Sequence, residues 1–187
     1  KEEALLNYLK IDGDIIRNLK NFSPIEDVRI ERGIKINENA RYYQINYLGF
    51  EFLINGNWLT WNDLSDGTKR IFFIITEISS LNFGFCLIEE PEIGVHPDQY
   101  RKILNFLKEQ SEEKQIIITT HAPRTLDILK DDELNQIILT RYDKELGTKM
   151  RHLSEEEIQD VIEYKEEEGS ASELWTYTGF FDEEEVI

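Results

Sequence analysis

Two adjacent carboxylates close a short apolar run in this chain, Phe85-Cys-Leu-Ile-Glu-Glu-Pro-Glu92. Acids at the carboxyl end of a buried strand stand where open α/β sheets bind their ligands. There they can support a hydrated Mg²⁺ and orient a water. Glu89 is the candidate metal support and Glu90 the candidate acid that polarises the attacking water. The plainer alternative is a pair of solvated loop acids in a glutamate-rich chain; their place directly after an apolar strand weighs against it. A second run, Gln115-Ile-Ile-Ile-Thr-Thr-His121-Ala-Pro123, ends in a histidine suited to donate a hydrogen bond to a transferring phosphate. A third, Leu64-Ser65-Asp66-Gly67-Thr68-Lys69-Arg70, leads straight into an apolar helix. Ser65 suits an N-cap, Gly67 allows close backbone approach, and a helix start offers free N–H groups to phosphate. Taken alone, this third element is no more than an ordinary capped helix. Glu89, Glu90, His96 and His121 could also be imagined as a metal cluster, but their spacing matches no metal-ligand pattern such as H-E-x-x-H. No G-x-S-x-G elbow occurs.

The elements that must position these residues follow from periodicity. Glu2 to Leu19 has helical spacing, with Gly13 able to split it and Ser23-Pro24 ending it. Val28 to Leu59 is strand-like, with Asn55-Gly56 as a hairpin turn, and predicts a small antiparallel sheet. A helix is predicted over Thr68 to Ser80, and another from Pro97 to about Glu109, since proline suits the first helical turn. Phe85 to Ile88, Gln115 to Thr119 and Gln136 to Arg141 are the predicted core strands; the first two are apolar enough for buried parallel strands. Arg124 to Leu129 is a predicted short helix, and Thr148 to His152 is placed to pair with the extension of the third strand. Ser154-Glu-Glu-Glu157 has capping-box spacing and opens a helix to about Lys165. In the tail, Leu174, Trp175, Tyr177, Phe180 and Phe181 call for burial. Strand and helix alternate as in an α/β sandwich with parallel strands.

Composition narrows the class. The chain has 187 residues, 40% of them hydrophobic, enough for a real core. Its net charge of -17 repels phosphate backbones, so nucleic-acid contact by this segment is not expected. The acid clusters 155–157, 166–168 and 182–185 read as solvated faces. No apolar run approaches twenty residues, so no transmembrane helix is expected. The single cysteine, Cys86, fits a reducing compartment, and a cytoplasmic location is expected. The first residue is Lys1, and the expectation is a fragment or a chain whose start is missing.

The three elements, in this order, resemble the second half of an ABC-type ATPase head. Leu64 to Thr68 looks like the signature motif, with Asp66 where a second glycine is usual. Cys86 to Glu90 looks like the Walker B strand, and Thr120-His121 like the switch-histidine loop. Glu92 to Pro97 fills the place of the D-loop, with His96 where an aspartate is common. The wording Glu-Glu-Pro-Glu-x-Gly-x-His-Pro resembles the overcoming-lysogenisation-defect-like and RecF/SMC-like soluble ATPases, whose heads carry an AAA-type ATPase domain, more than transporter subunits. The resemblance covers Asp63 to Arg141 well. It implies an α/β, P-loop NTPase-like C-terminal lobe with parallel core strands, preceded by a small antiparallel β segment. The implied division is 1–62 as the helical and β-rich lead-in, 63–142 as the lobe, and 143–187 as a hairpin, helix and acidic tail.

By role, the resemblance implies that Glu90 is the catalytic acid, that Glu89 supports Mg²⁺ through water, and that His121 contacts the γ-phosphate of ATP. Ser65, Asp66, Gly67 and Thr68 would close over the ATP of a second head, with His96 at the D-loop position. The implied partners are that second head, in a homodimer, and an effector such as a nuclease in DNA repair or phage defence. No G-x-x-x-x-G-K-[ST] occurs, and none of the ten glycines precedes a lysine. An N-terminal lobe would have to supply the P-loop, and this chain alone would bind ATP poorly. The alternatives are a transporter nucleotide-binding subunit, against which the Glu-Glu-Pro-Glu wording argues, and a non-catalytic interaction domain with a degenerate ATPase fold.

Overall fold

Local chemistry sets the first helix. Asp12 caps helix α1 (Gly13–Phe22) by accepting from the Asp14 amide at 2.7 Å. The helix stops at Ser23, whose amide and hydroxyl both donate to the Leu19 carbonyl just before Pro24. In the computed structural model the described residues are 10–30, 36–39, 42–45, 48–81, 84–167 and 169–178, with backbone alone for 36–39 and 42–45. The helical stretch predicted before Lys10 lies outside them. The chain divides into two compact units, Lys1–Thr119 and Thr120–Ile187.

In the first unit, β1 (Asp27–Ile30), β4 (Phe50–Ile54) and β5 (Asn57–Thr60) form an antiparallel sheet in the order β1-β4-β5. Between them in sequence, β2 (Ile36–Asn39) and β3 (Tyr42–Ile45) pair as a separate antiparallel ribbon. Asn55 and Gly56 turn between β4 and β5 with φ of 49° and 73°. Both values are left-handed, as a two-residue hairpin of the right twist requires. Fully buried Phe52 meets Phe72 edge-on at 5.1 Å, so the antiparallel sheet is stacked on the next helix through aromatic rings.

That helix, α2 (Asp66–Ser80), buries Gly67, Ile71, Ile75 and Ile78, a single stripe at helical spacing. Helix α3 (Pro97–Gln110) buries Tyr100, Ile103, Leu104, Phe106 and Leu107. Both helices share one core with Leu19, Ile25, Val28 and Phe52. Asn18 of α1 donates to Ser79 of α2 at 2.9 Å, and Lys114 donates to the Ile78 carbonyl at the C-terminal end of α2, also at 2.9 Å. A cation there answers the negative end of the helix dipole.

Two parallel strands complete this unit. β6 (Phe85–Glu89) and β7 (Gln115–Thr119) pair in register from Phe85 opposite Gln115 to Glu89 opposite Thr119. The expectation that both are buried on two faces needs correction. Cys86, Ile88, Ile116 and Ile118 pack on the core, but Phe85, Leu87 and Ile117 are 54%, 67% and 40% exposed. Alternation sends every second residue of an apolar strand to the far face, which is exposed at these three positions among the described residues.

The second unit has its own core of Leu134, Leu139, Leu153, Val161 and Ala171. Two 3₁₀ turns (Pro123–Ile128 and Asp131–Gln136) lead into β8 (Ile138–Asp143), which forms an antiparallel hairpin with β9 (Gly147–His152). The third predicted core strand therefore pairs, among the described residues, with its own hairpin partner and not with the parallel pair. The turn explains the pairing: Asp143 accepts from the amides of Glu145 and Leu146 at 2.8 Å each, and Gly147 adopts a φ of 77°. Those amide bonds hold the Asp143 carboxyl below its ordinary range, the Leu146 amide most strongly. Helix α4 (Glu155–Glu166) opens on the predicted capping box, with Ser154 accepting from Glu157 and Glu157 from the Ser154 amide. Helix α5 (Ala171–Thr178) is anchored where the Ser172 amide and hydroxyl both donate to Asp127. Leu174 and Trp175 pack on the second core, whereas Tyr177 is 79% exposed, against expectation. It stands in the last turn of the helix, where the described core ends. Phe180 and Phe181 lie outside the described residues. Among the described residues no helix is long and apolar enough to cross a membrane.

Candidate active site

The start of α2 is built around Ser65, the helix N-cap. Its hydroxyl accepts from the Thr68 amide at 3.2 Å and shares a 2.9 Å hydrogen bond with the Thr68 hydroxyl. Such a cap leaves the other first-turn amides free of helical partners. The Asp66 side chain is wholly exposed, 3.6 Å from the Lys69 ammonium. Gly67 is buried, and a Cβ there would stand 2.2 Å from the Gly94 carbonyl oxygen. The close approach that Gly67 permits is thus to the chain's own turn after β6.

At the end of β6 the acids differ in setting. Glu89 is exposed and shares the outer face with Phe85 and Leu87, whereas Glu90 is half-buried. Glu90 has a φ of 44°, one of two non-glycine residues with positive φ among those described. This left-handed conformation costs a residue with a Cβ about 1 kcal/mol or more and persists where the surroundings fix it. Here the Glu90 amide donates to the Thr119 carbonyl at 2.8 Å. Its own carbonyl accepts from the Ile93 amide at 3.2 Å and from Arg70 at 2.7 Å. Arg70 also donates to the Glu89 carbonyl at 2.8 Å. The structure therefore joins the Ser65–Arg70 element to the Glu89–Glu90 element within one unit.

Two other candidates have different surroundings. His96 caps α3, its Nδ1 accepting from the Asp98 amide at 3.3 Å, with Pro97 at the first helical position. Its side chain is 71% exposed. His121 is exposed and lies two residues beyond β7, in the second unit. Thr120, just before it, accepts from the Ala122 amide at 3.0 Å. No group of three or more His, Cys, Asp or Glu residues that could hold a metal occurs among the described residues, so the four-residue metal cluster does not form. Glu89 is an exposed carboxylate at the strand end, a single oxygen donor of the kind that Mg²⁺ takes alongside its waters. Burial pushes the Cys86 thiol up, and the charge of Glu77 adds to it.

Two contributions to this site have no signature in the sequence. Nothing in the spacing of Arg70 says that it reaches backbone carbonyls nineteen and twenty residues on. Gly94 is legible only as part of a turn; that α2 rests on it is a tertiary fact.

The chain is 32% identical over 76 residues to the uncharacterized protein MJECL43 of Methanocaldococcus jannaschii, covering 41% of this chain and 19% of that protein. It is 29% identical over 175 residues to the Septu protein PtuA of Bacillus mycoides, covering 78% and 24% respectively. The chain thus spans about a quarter or less of the length of these curated relatives. In fold it is similar to a structure from work on ATP-driven dimerization and DNA-stimulated activation of SMC ATPases, with a TM-score of 0.58 at 17% identity, covering 89% of this chain and 98% of that one. It is also similar to the Smc head domain with a coiled coil and joint from Pyrococcus yayanosii, with a TM-score of 0.50 at 18% identity, covering 82% and 28%. The mixed α/β fold with its parallel strand pair is thus similar to that of an SMC ATPase head. A family model matches residues 6–127, well over half of the chain, and the chain belongs to that family, the AAA domain described as putative AbiEii toxin, Type IV TA system.

Proposed function

We propose that this chain is the C-terminal lobe of an ABC-type ATPase head that hydrolyses ATP at a head-to-tail interface between two heads. The observation that carries the reading is the joining of the capped start of α2 to the acids ending β6, beside a parallel neighbour that leads into Thr120-His121. In this reading Glu90 orients the attacking water and His121 donates to the γ-phosphate. Glu89 supports Mg²⁺, which when bound neutralises phosphate charge. Ser65, Asp66, Gly67 and Thr68 present a helix N-terminus to the ATP of the second head, with His96 at the D-loop position near it. Catalysis of this kind rests on positioning and charge stabilisation, without a covalent intermediate.

A P-loop-bearing N-terminal lobe completes the site. The open apolar face of Phe85, Leu87 and Ile117 supports this, because parallel sheets are stable with both faces covered. The three-part division 1–62, 63–142 and 143–187 is retained as a functional one. The family's description as a toxin of a TA system is in keeping with a defence setting; control of a nuclease or other DNA-acting effector and a cytoplasmic location are further parts of the proposal.

The decisive experiment uses the full-length protein. Glu90→Gln is expected to retain Mg-ATP binding and to lower turnover by about 100-fold or more, the scale of losing a positioned catalytic group. Turnover equal to wild type would remove Glu90 from catalysis and leave a degenerate, non-catalytic domain.

A further inference from the structure

We propose that Arg70 is a positioning residue, one whose single guanidinium nitrogen sets the backbone of Glu90 and ties it to the start of α2. The role in turnover rests on the function proposed above; the structural tie does not.

Nη2 of Arg70 donates to the carbonyl oxygen of Glu89 at 2.8 Å and to that of Glu90 at 2.7 Å. These oxygens belong to the peptide planes on either side of the Glu90 Cα. In an extended strand successive carbonyls point to opposite sides, so one nitrogen could not reach both. The left-handed turn at Glu90, φ 44°, brings them to the same side. Conformation and contact therefore support each other: the cation's hydrogen bonds help offset the strain, and the turn presents both carbonyls to one nitrogen. The Glu90 amide bond to Thr119 holds the first plane from its other edge, and the Ile93 amide holds the second. With both planes fixed, the direction of the Cα–Cβ bond is fixed, and so is the base from which the carboxylate reaches.

Arg70 also lies one helical turn from Asp66, the first residue of α2, and on the same helix Gly67 rests against Gly94. A shift of α2 cannot leave the Glu90 turn untouched. Whatever engages the helix start is thereby reported to the acid, through hydrogen bonds to charge, which are stronger than neutral ones.

The test compares wild type, Arg70→Ala and Arg70→Lys as full-length proteins in three measurements. A lysine ammonium keeps the positive charge and three N–H donors for the two carbonyls, whereas alanine offers none. Hydrogen exchange over 88–94 is expected to quicken in Arg70→Ala and to return toward wild type in Arg70→Lys. The kcat per bound nucleotide is expected to fall about 10- to 100-fold in Arg70→Ala, the cost of a small misplacement, with the Kd for Mg-ATP within about twofold. Arg70→Lys recovers most of that loss. Unchanged exchange in Arg70→Ala overturns the tie to Glu90. Unchanged kcat, or kcat and nucleotide binding lost together without rescue by lysine, overturns the positioning role. If instead Glu90→Gln turns over like wild type, the proposed function fails by itself, and the exchange measurement still decides the structural tie.

Discussion

A single methyl group at Gly67 would place a carbon 2.2 Å from the Gly94 carbonyl oxygen, well inside contact distance. The obstacle is backbone, in a turn whose Glu90 carbonyl is already committed to Ile93 and Arg70. Gly67→Ala must therefore move the start of α2 or the turn. A destabilisation of roughly 1–3 kcal/mol is expected, as for other overpacked sites. Urea unfolding measures it, and an unaltered midpoint would mean that the turn yields freely. The residue scale also explains the differing fates of the acids at the end of β6. Glu89 still follows strand alternation and faces outward, while Glu90 has left the strand and is held by its backbone.

At the scale of elements, the junction of β9 and α4 carries the clearest pH dependence. Arg151 donates to both Glu157 oxygens, at 2.7 and 2.8 Å, while Glu157 also closes the capping box at Ser154. The Arg151 hydrogen bonds are the main cause of a Glu157 carboxyl held below its ordinary 4.5. Burial opposes them, and the Ser154 bonds assist. A carboxyl depressed in the folded state stabilises it fully above the unfolded value, and that contribution fades as pH falls through the folded value. Acidification from pH 7 to below 4.5 should lower the melting temperature of the second unit. Arg151→Ala should flatten that dependence and remove about 1 kcal/mol or less at neutral pH, since the arginine is partly solvated. Equal acid sensitivity in the variant would dissociate Glu157 from the effect.

Over the whole molecule, the prominent feature is an apolar sheet face left open on a chain of net charge -17. Leu87 is 67% exposed, so a charge there stays in water in this chain. Leu87→Asp is therefore expected to change the stability of this chain alone by no more than about 0.5 kcal/mol. In the full-length protein it should cost roughly 2 kcal/mol or more, as for a charge forced under an apolar cover. Equal, small effects in both, read by chemical denaturation, would show that nothing packs on this face.

The sequence by itself determined whatever depends on residues a few positions apart. The Asn55-Gly56 turn, the Ser65 N-cap, proline at the start of α3, the Ser154 capping box and the extent of β7 are set by local hydrogen bonds and backbone preference. The juxtaposition of β6 and β7 was legible too, because apolar runs separated by a helix favour parallel pairing. Tertiary structure alone decided that α2 rests on Gly94 and that Arg70 holds the carbonyls of Glu89 and Glu90. It also decided that β8 closes on β9 and that one side of β6 and β7 stays open. Those outcomes depend on which surfaces meet. An apolar run states that burial is favourable, but it does not say which partner provides it.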